Sequence, residues 1–278
     1  MRTTTFTLLI FLFSLGIAKD FPEKHGSVDT KLFVGKNNNQ PLIIGFGGGE
    51  GGNAWASDYW KKTRDEFLEK GYALLAIGYF GMPNTSQMLD RIPLDAIYHE
   101  ITEAAKHPLI NPKKLALIGG SKGAELVLNL ASRYPAISSV IAIVPSHVSF
   151  PGITYTMEHS SWTFDGVEVP FVPANERIIP AVLTRDLHTA FSIMLEDEEW
   201  VDKARIPVEK INGSLMIISA REDEMWPSMM MSEQLVEKLE QAQFRHHYEH
   251  IIAEGDHASA LNHFPEIFTF LDQYFKSH

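Results

Sequence analysis

Three residue types that can act together in nucleophilic chemistry sit at the ends of apolar runs. The segment "LALIGGSKGAELVLNLASRYP" (115–135) drives a short apolar run into Gly119-Gly120-Ser121-Lys122-Gly123 and then straight into a helical pattern. This fits G-x-S-x-G at a strand-to-helix corner, where flanking glycines are needed because Cβ atoms would collide with the neighbouring strand and helix. The pentapeptide alone arises by chance roughly 0.1 times in a chain of this length, so the weight lies on its placement between "KLALI" and an amphipathic helix. A serine hydroxyl is a poor nucleophile until a base takes its proton, and the base needs an acid to orient it. The acid candidate is Asp223 in "AREDEMWP", just past the apolar run "SLMIISA", with Glu222 as second choice and Glu224 as a further neighbour. The base candidate is His257 in "AEGDHASALNHFPE", where Gly255 permits a tight loop; His263 competes but looks like a residue leading into the last helix.

Developing negative charge on a reacting carbonyl needs backbone N–H donors. One expected donor is the N–H of Lys122, assisted by the positive end of the helix that begins there. The second is expected from "GFGGGEGG" after "LIIGF", with Gly47 and Gly48 as the candidates. A phosphate cradle is the rival reading of that cluster, but it lacks the Lys-Ser or Lys-Thr ending of a P-loop and has no clean dinucleotide spacing. The Lys122 ammonium is expected to face solvent, with an anionic ligand as the alternative, and Glu125 to sit in the first helical turn because the macrodipole favours an acid there. His246, His247 and His250 resemble a metal cluster, yet on a strand 246 and 250 face one way and 247 the other, so no metal is expected.

These residues need a scaffold that brings distant loops to one edge. Strand-length apolar runs recur at "PLIIGF" (41–46), "YALLAIGYF" (72–80), "KLALIG" (114–119), "SVIAIV" (139–144), "SLMIISA" (214–220) and "HYEHII" (247–252), with helical patterns between most of them. Strands buried on both faces and alternating with helices imply an α/β class protein with a doubly wound, mostly parallel sheet. Residues 149–207 break the alternation. An excursion of this length, rich in Phe, Tyr, Trp and Pro, reads as a cap or substrate-facing insertion, with a surface extension carrying its own small core as the alternative. Phe150, Tyr155, Trp162 and Phe171 are expected to wall an apolar group of the substrate.

The 278 residues, 45% apolar, suffice for one sizeable core and a single domain over 19–278. There is no cysteine, hence no disulfide framework, thiolate metal site or thiol nucleophile. The formal charge of −11 becomes −12 without Arg2, a surface that repels phosphate backbones and anionic headgroups and argues against nucleic acid as a partner. Arg2 ahead of the run Phe6–Ile17, closed by Gly16 and Ala18, has the layout of a secretory signal peptide over residues 1–18. The twelve-residue run spans roughly 18 Å, short of the roughly 30 Å hydrocarbon core, so no stable membrane insertion is expected once it is removed.

"GGSKGAELVLNLAS" resembles the serine elbow of the acyl-CoA thioester hydrolases and bile acid-CoA:amino acid N-acyltransferases, in their C-terminal catalytic domain. The similarity extends to "IIGFGGGEGG", "FLEKGYALLAIGYFG", "PLDAIYHEITEAAKHPLI" and "IPVEKINGSLMIISAREDEMWPS", covering roughly residues 40–275 in order. It implies an α/β-hydrolase domain with the cap-like insertion after the sixth strand of that fold, and it implies that Ser121, Asp223 and His257 match the family's triad positions. Members cleave or transfer acyl groups carried as coenzyme A thioesters. In this family cysteine at the elbow accompanies conjugation to amino acids and serine accompanies hydrolysis, since an oxygen ester is the less activated partner for amines. The family usually carries a β-sandwich ahead of the catalytic domain, for which residues 19–40 are too few, and it works largely inside cells.

The expectation is therefore an exported serine hydrolase acting on a small-molecule carboxylic ester or acyl thioester through a Ser121 acyl-enzyme, without a cofactor. An acyltransferase on the same scaffold and a non-catalytic binding module are the alternatives. Export is checked by N-terminal sequencing of the secreted protein, which should start at Lys19; a soluble cytoplasmic form that retains Met1 would overturn it.

Overall fold

The computed structural model describes residues 21–276; the leader expected over 1–18 lies outside them. The chain begins with β1 (Asp29–Phe33), β2 (Gln40–Phe46), α1 (Lys61–Glu69), β3 (Ala73–Gly78), β4 (Ile92–Pro93) and α2 (Leu94–Ala104). It continues through β5 (Ile110–Gly120), α3 (Lys122–Ala131) and β6 (Ile137–Ile143), then β7 (Trp162–Phe164), β8 (Val167–Glu168), α4 (Ile179–Thr184), α5 (Leu187–Met194) and α6 (Glu198–Ala204). It ends with β9 (Ser214–Ala220), α7 (Ser228–Gln241), β10 (Tyr248–Ala253) and α8 (Phe264–Leu271).

Seven strands form one sheet in the order β1-β3-β2-β5-β6-β9-β10, and every pair is parallel except β1 against β3. Period-2 alternation divides the core into two layers. Leu42, Ile44, Leu75, Leu117, Val140 and Ile217 point to one face, while Ile43, Leu74, Ala116, Ile141 and Ile218 point to the other. Both layers are apolar, as a sheet covered by helices on each side requires. Helix α3 is buried over its whole length: it packs on β5 and β6 of the sheet and on α2, and Phe150 and Trp162 of the insertion reach its Glu125.

The excursion after β6 carries the β7–β8 hairpin and helices α4 to α6. Its exit and return strands are tied together by Ser149 N–H to the Ala204 carbonyl and Ile206 N–H to the His147 carbonyl, each 3.0 Å. It has an apolar cluster of its own, including Phe150, Val172, Ile178, Met194 and Val201, but Trp226 and Met231 of the main body complete that cluster. The segment's core is thus shared with the body beneath. No helix among the described residues is long and apolar enough to cross a membrane.

The sheet register places the loops that matter at one edge. Phe46 pairs with Gly119 and Gly120 with Ile143, so the glycine-rich loop after β2 and the corner after β5 leave the sheet side by side. A Cβ on Gly119 would lie 2.2 Å from the Gly123 carbonyl oxygen, and one on Gly123 would lie 2.4 Å from that of Gly47. Backbone occupies the space that a side chain would need. At Gly120 the nearest atom to an added Cβ is Leu261 Cδ2 at 3.9 Å. Gly123→Ala should therefore lower stability by more than about 2 kcal/mol, as overpacking against immovable backbone does, while Gly120→Ala stays within about 0.5 kcal/mol of wild type. Urea unfolding midpoints check this, and equal effects of the two substitutions would overturn the steric account.

Candidate active site

Ser121 follows β5 directly, with φ 56° and ψ −121°. A non-glycine residue in this region costs of order 1–3 kcal/mol and persists only when its surroundings fix it. Here the Ser121 N–H donates to the Ile143 carbonyl at 2.9 Å, and its own carbonyl accepts from Ala124 and Glu125 at 2.8 and 3.1 Å. The turn thus starts α3 while lifting the side chain off the sheet. A second strained residue, Val144 at φ 44°, ends β6 alongside it. Val144 donates to the Ile218 carbonyl at 2.6 Å and accepts from Trp226 Nε1 at 3.1 Å.

Asp223 and His257 come from the loops after β9 and β10. Their strands pair in parallel with Ala220 opposite Ala253, and the loops are stitched by Arg221 N–H to the Ala253 carbonyl and Glu222 N–H to the Gly255 carbonyl. His257 Nδ1 lies 2.8 Å from Asp223 Oδ1. That carboxylate is 4% exposed and also accepts the N–H groups of Met225 and Trp226 at 3.0 and 3.2 Å. Burial works to raise the Asp223 pKa, but the hydrogen bond and charge of His257, with the Trp226 N–H and the nearby Ser228 hydroxyl, outweigh it and hold the carboxyl below the ordinary range. An ionised acceptor requires a proton on Nδ1, which leaves Nε2 as the free base. Glu222 faces solvent, whereas Glu224 braces the base: its Oε2 accepts the His257 N–H at 2.9 Å. His263 begins α8, with Nδ1 3.6 Å from Glu266.

Ser121, His257, Gly47 and Gly48 all line a cleft of about 150 Å3. Lys122 opens α3, so its N–H is a first-turn donor with no acceptor inside the helix. The Tyr79 hydroxyl donates to the Gly47 carbonyl at 2.8 Å and approaches that of Gly48 at 3.3 Å, clamping the loop. The Gly48 N–H, however, already donates to Glu50 Oε1 at 3.0 Å.

One expectation for the elbow helix is corrected. The Lys122 side chain does not face solvent; it is buried, with Nζ 2.8 Å from Glu125 Oε2. Glu125 is fully buried, and its Oε1 also accepts Trp162 Nε1 at 2.7 Å and the Phe150 N–H at 3.2 Å. Burial lowers the Lys122 pKa and raises that of Glu125, with their mutual attraction opposing both shifts. Glu125 sits in the first helical turn as expected, and its bonds to Trp162 and Phe150 also make it the joint between elbow and insertion.

Ser121 also borders a second cavity of about 280 Å3 roofed by the cap. Of the four aromatics expected to wall an apolar group of the substrate, Phe150 lines this cavity. The other three do not. Tyr155 is 95% exposed, Trp162 is buried behind the elbow on Glu125, and Phe171 is half-buried away from the cavity. The rest of the cavity wall comes from the turn that leads into α4, from α4 and α5, and from the Asp223 loop, through Ile178, Val182, Phe191, Met194 and Trp226. Apolar spacing in "LHTAFSIM" carried that signal, but a segment without clear elements hid it. His188 of α5 reaches the Asp223 carbonyl at 2.6 Å, a link no sequence pattern announces. His250 meets Ser219 Oγ at 2.8 Å and His247 stacks on Tyr274 at 3.6 Å, so the two rings engage different partners.

Acyl-coenzyme A thioesterase 5 of Mus musculus is 23% identical to this chain over 182 residues, covering 62% of the chain and 39% of the relative. Acyl-coenzyme A amino acid N-acyltransferase 1 of Mus musculus is 24% identical over 171 residues, covering 61% and 38%. The chain thus spans about two-fifths of the length of these relatives. Among solved structures, acylaminoacyl peptidase of Pyrococcus horikoshii superposes with a TM-score of 0.65 at 14% identity, over 90% of this chain and 40% of the peptidase. The fold is that of the α/β hydrolases. The family described as BAAT / Acyl-CoA thioester hydrolase C terminal matches residues 100–277, and with more than half of the chain so matched, the protein belongs to that family of thioester hydrolases and acyltransferases.

Proposed function

We propose that the protein is an exported serine hydrolase that cleaves a carboxylic ester or acyl thioester through an acyl-enzyme on Ser121. The observation that carries this is a serine at φ 56° sharing a cleft with a histidine whose far nitrogen is 2.8 Å from a buried carboxylate. Asp223 keeps the Nδ1 proton in place, so Nε2 takes the Ser121 proton as Oγ attacks the substrate carbonyl. The Lys122 N–H and the Gly47–Gly48 loop receive the oxyanion, with the carbonyl oxygen displacing Glu50 from the Gly48 N–H. His257 then returns the proton to the leaving group. Water, deprotonated by the same nitrogen, attacks the acyl-enzyme and frees Ser121.

The apolar cavity supports an acyl group on the cap side. A cavity of about 150 Å3 holds benzene, so the roughly 280 Å3 here accommodates on the order of ten carbons. Export rests on the leader-like residues Arg2 and Phe6–Ala18. It parts the protein from cytoplasmic acyl-CoA pools and favours another ester.

Ser121→Ala should lower kcat by at least about a thousandfold with the fold intact, and should abolish labelling by a fluorophosphonate. Wild type given glycine or taurine should release free acid. Near-normal turnover by the variant, or amide as the main product in mass spectrometry, would sink the hydrolase reading. Specificity constants over a p-nitrophenyl ester series should rise with acyl length through the short chains, since each buried methylene contributes roughly 0.8 kcal/mol. A flat profile from acetyl to octanoyl would remove the acyl pocket.

A further inference from the structure

The catalytic cleft contains a carboxylate that the hydrolytic cycle does not use. Glu50 lines the same cleft as Ser121 and His257, and its Oε1 accepts the Gly48 N–H at 3.0 Å. A Cβ on Gly48 would be 2.9 Å from Glu50 Oε2 and 3.3 Å from Ser121 Cβ, so the carboxylate and the nucleophile flank one Cα. No ion pair to Glu50 exists among the described residues, and the nearby ammonium of Lys122 is taken by Glu125. The loop beneath is clamped by Tyr79 through the Gly47 and Gly48 carbonyls. A substrate oxygen that uses the Gly48 N–H must therefore displace the Glu50 side chain, while the backbone that carries it stays.

The displaced charge has little choice of destination. The acyl group occupies the apolar cavity under the cap, where Phe150, Phe191 and Trp226 leave a carboxylate no partner. It therefore stays on the opposite side of Ser121, where His257 hands its proton to the departing group. Glu224, against the His257 N–H, and exposed Asp256 next to that histidine add charge of the same sign.

Building on the serine-hydrolase reading above, we propose that Glu50 is a specificity residue that selects the leaving group by charge. It favours esters whose alcohol or thiol portion is cationic or neutral close to the scissile bond and opposes those that carry an anion there. Charges several ångströms apart near a protein surface change a rate by about an order of magnitude, so the effect is of a size that kinetics resolves.

The test uses butyryl esters of three phenols that differ only in the para substituent: trimethylammonium, hydrogen and sulfonate. Intrinsic reactivity cancels when each kcat/KM of Glu50→Gln is divided by that of wild type. Relative to the neutral ester, Glu50→Gln should lose about tenfold on the cationic ester and gain about tenfold on the anionic one. Glu50→Asp should keep the wild-type order, and added salt should flatten the wild-type series. A merely structural glutamate would shift all three esters alike, and a uniform change in Glu50→Gln with turnover preserved would overturn the assignment of Glu50 alone. If wild type cleaved none of the three and the fluorophosphonate left Ser121 unlabelled, the serine-hydrolase reading would fail, and this assignment with it.

Discussion

Backbone stacked directly on backbone at one edge of the sheet is the constraint on which the rest of the protein depends. The Gly123 carbonyl oxygen fills the place of a Gly119 side chain, and the Gly47 carbonyl oxygen fills that of Gly123. This contact sets how close α3 lies to β5 and how close the loop after β2 lies to α3. The strained Ser121 backbone, the exposed first-turn donors and the cleft between them all follow from that spacing. A residue at φ 56° is unfavourable in isolation, yet here hydrogen bonds from three neighbours over-determine it.

A second joint is electrostatic. Taking Lys122 and Glu125 out of water is costly, and the pair is tolerated because both Glu125 oxygens are satisfied, one by the ammonium and the other by Trp162 and the Phe150 N–H. Those last two donors belong to the insertion. A buried charge with three fixed donors from two parts of the chain accepts few arrangements, so it fixes how the insertion sits over Ser121. Removing either charge would leave its partner buried and uncompensated, a loss of about 3–5 kcal/mol for pairs of this kind.

Much of the scaffold is legible from strand-length apolar runs: "SLMIISA" forms β9 over its full length, and "PLIIGF" and "HYEHII" give β2 and β10 to within a residue at each end. The edge strand β1 escapes this reading because "DTKLF" is short and half-exposed, pairs antiparallel, and owes its strand state to β3 rather than to its own pattern. The positions of Ser121, Asp223 and His257 are readable because each follows a strand in a parallel sheet, where loops gather at one edge. The aromatics of the insertion are not. Composition shows that Tyr155, Trp162 and Phe171 are present, but direction depends on contacts made after the cap folds down, and these send one to solvent and another beneath the elbow. Burial of Lys122 is hidden for the same reason: a lysine in a first helical turn is solvated unless something later in the chain covers it.

Trp226 belongs to several of these assemblies at once. Its N–H donates to Asp223, its indole nitrogen to the strained Val144, and its ring lies 5.5 Å from Phe191 and 6.3 Å from His257. One face of the cavity under the insertion is therefore also the brace of the Asp223 loop. Under the proposed function, an acyl chain that fills the cavity packs against the side chain that keeps Asp223 aimed at His257, so contacts made far from the scissile bond are linked to the order of the reacting groups. Energy from a remote, unreactive part of the substrate then has a route into turnover as well as into affinity, which is how an enzyme converts uniform binding into preference for the transition state.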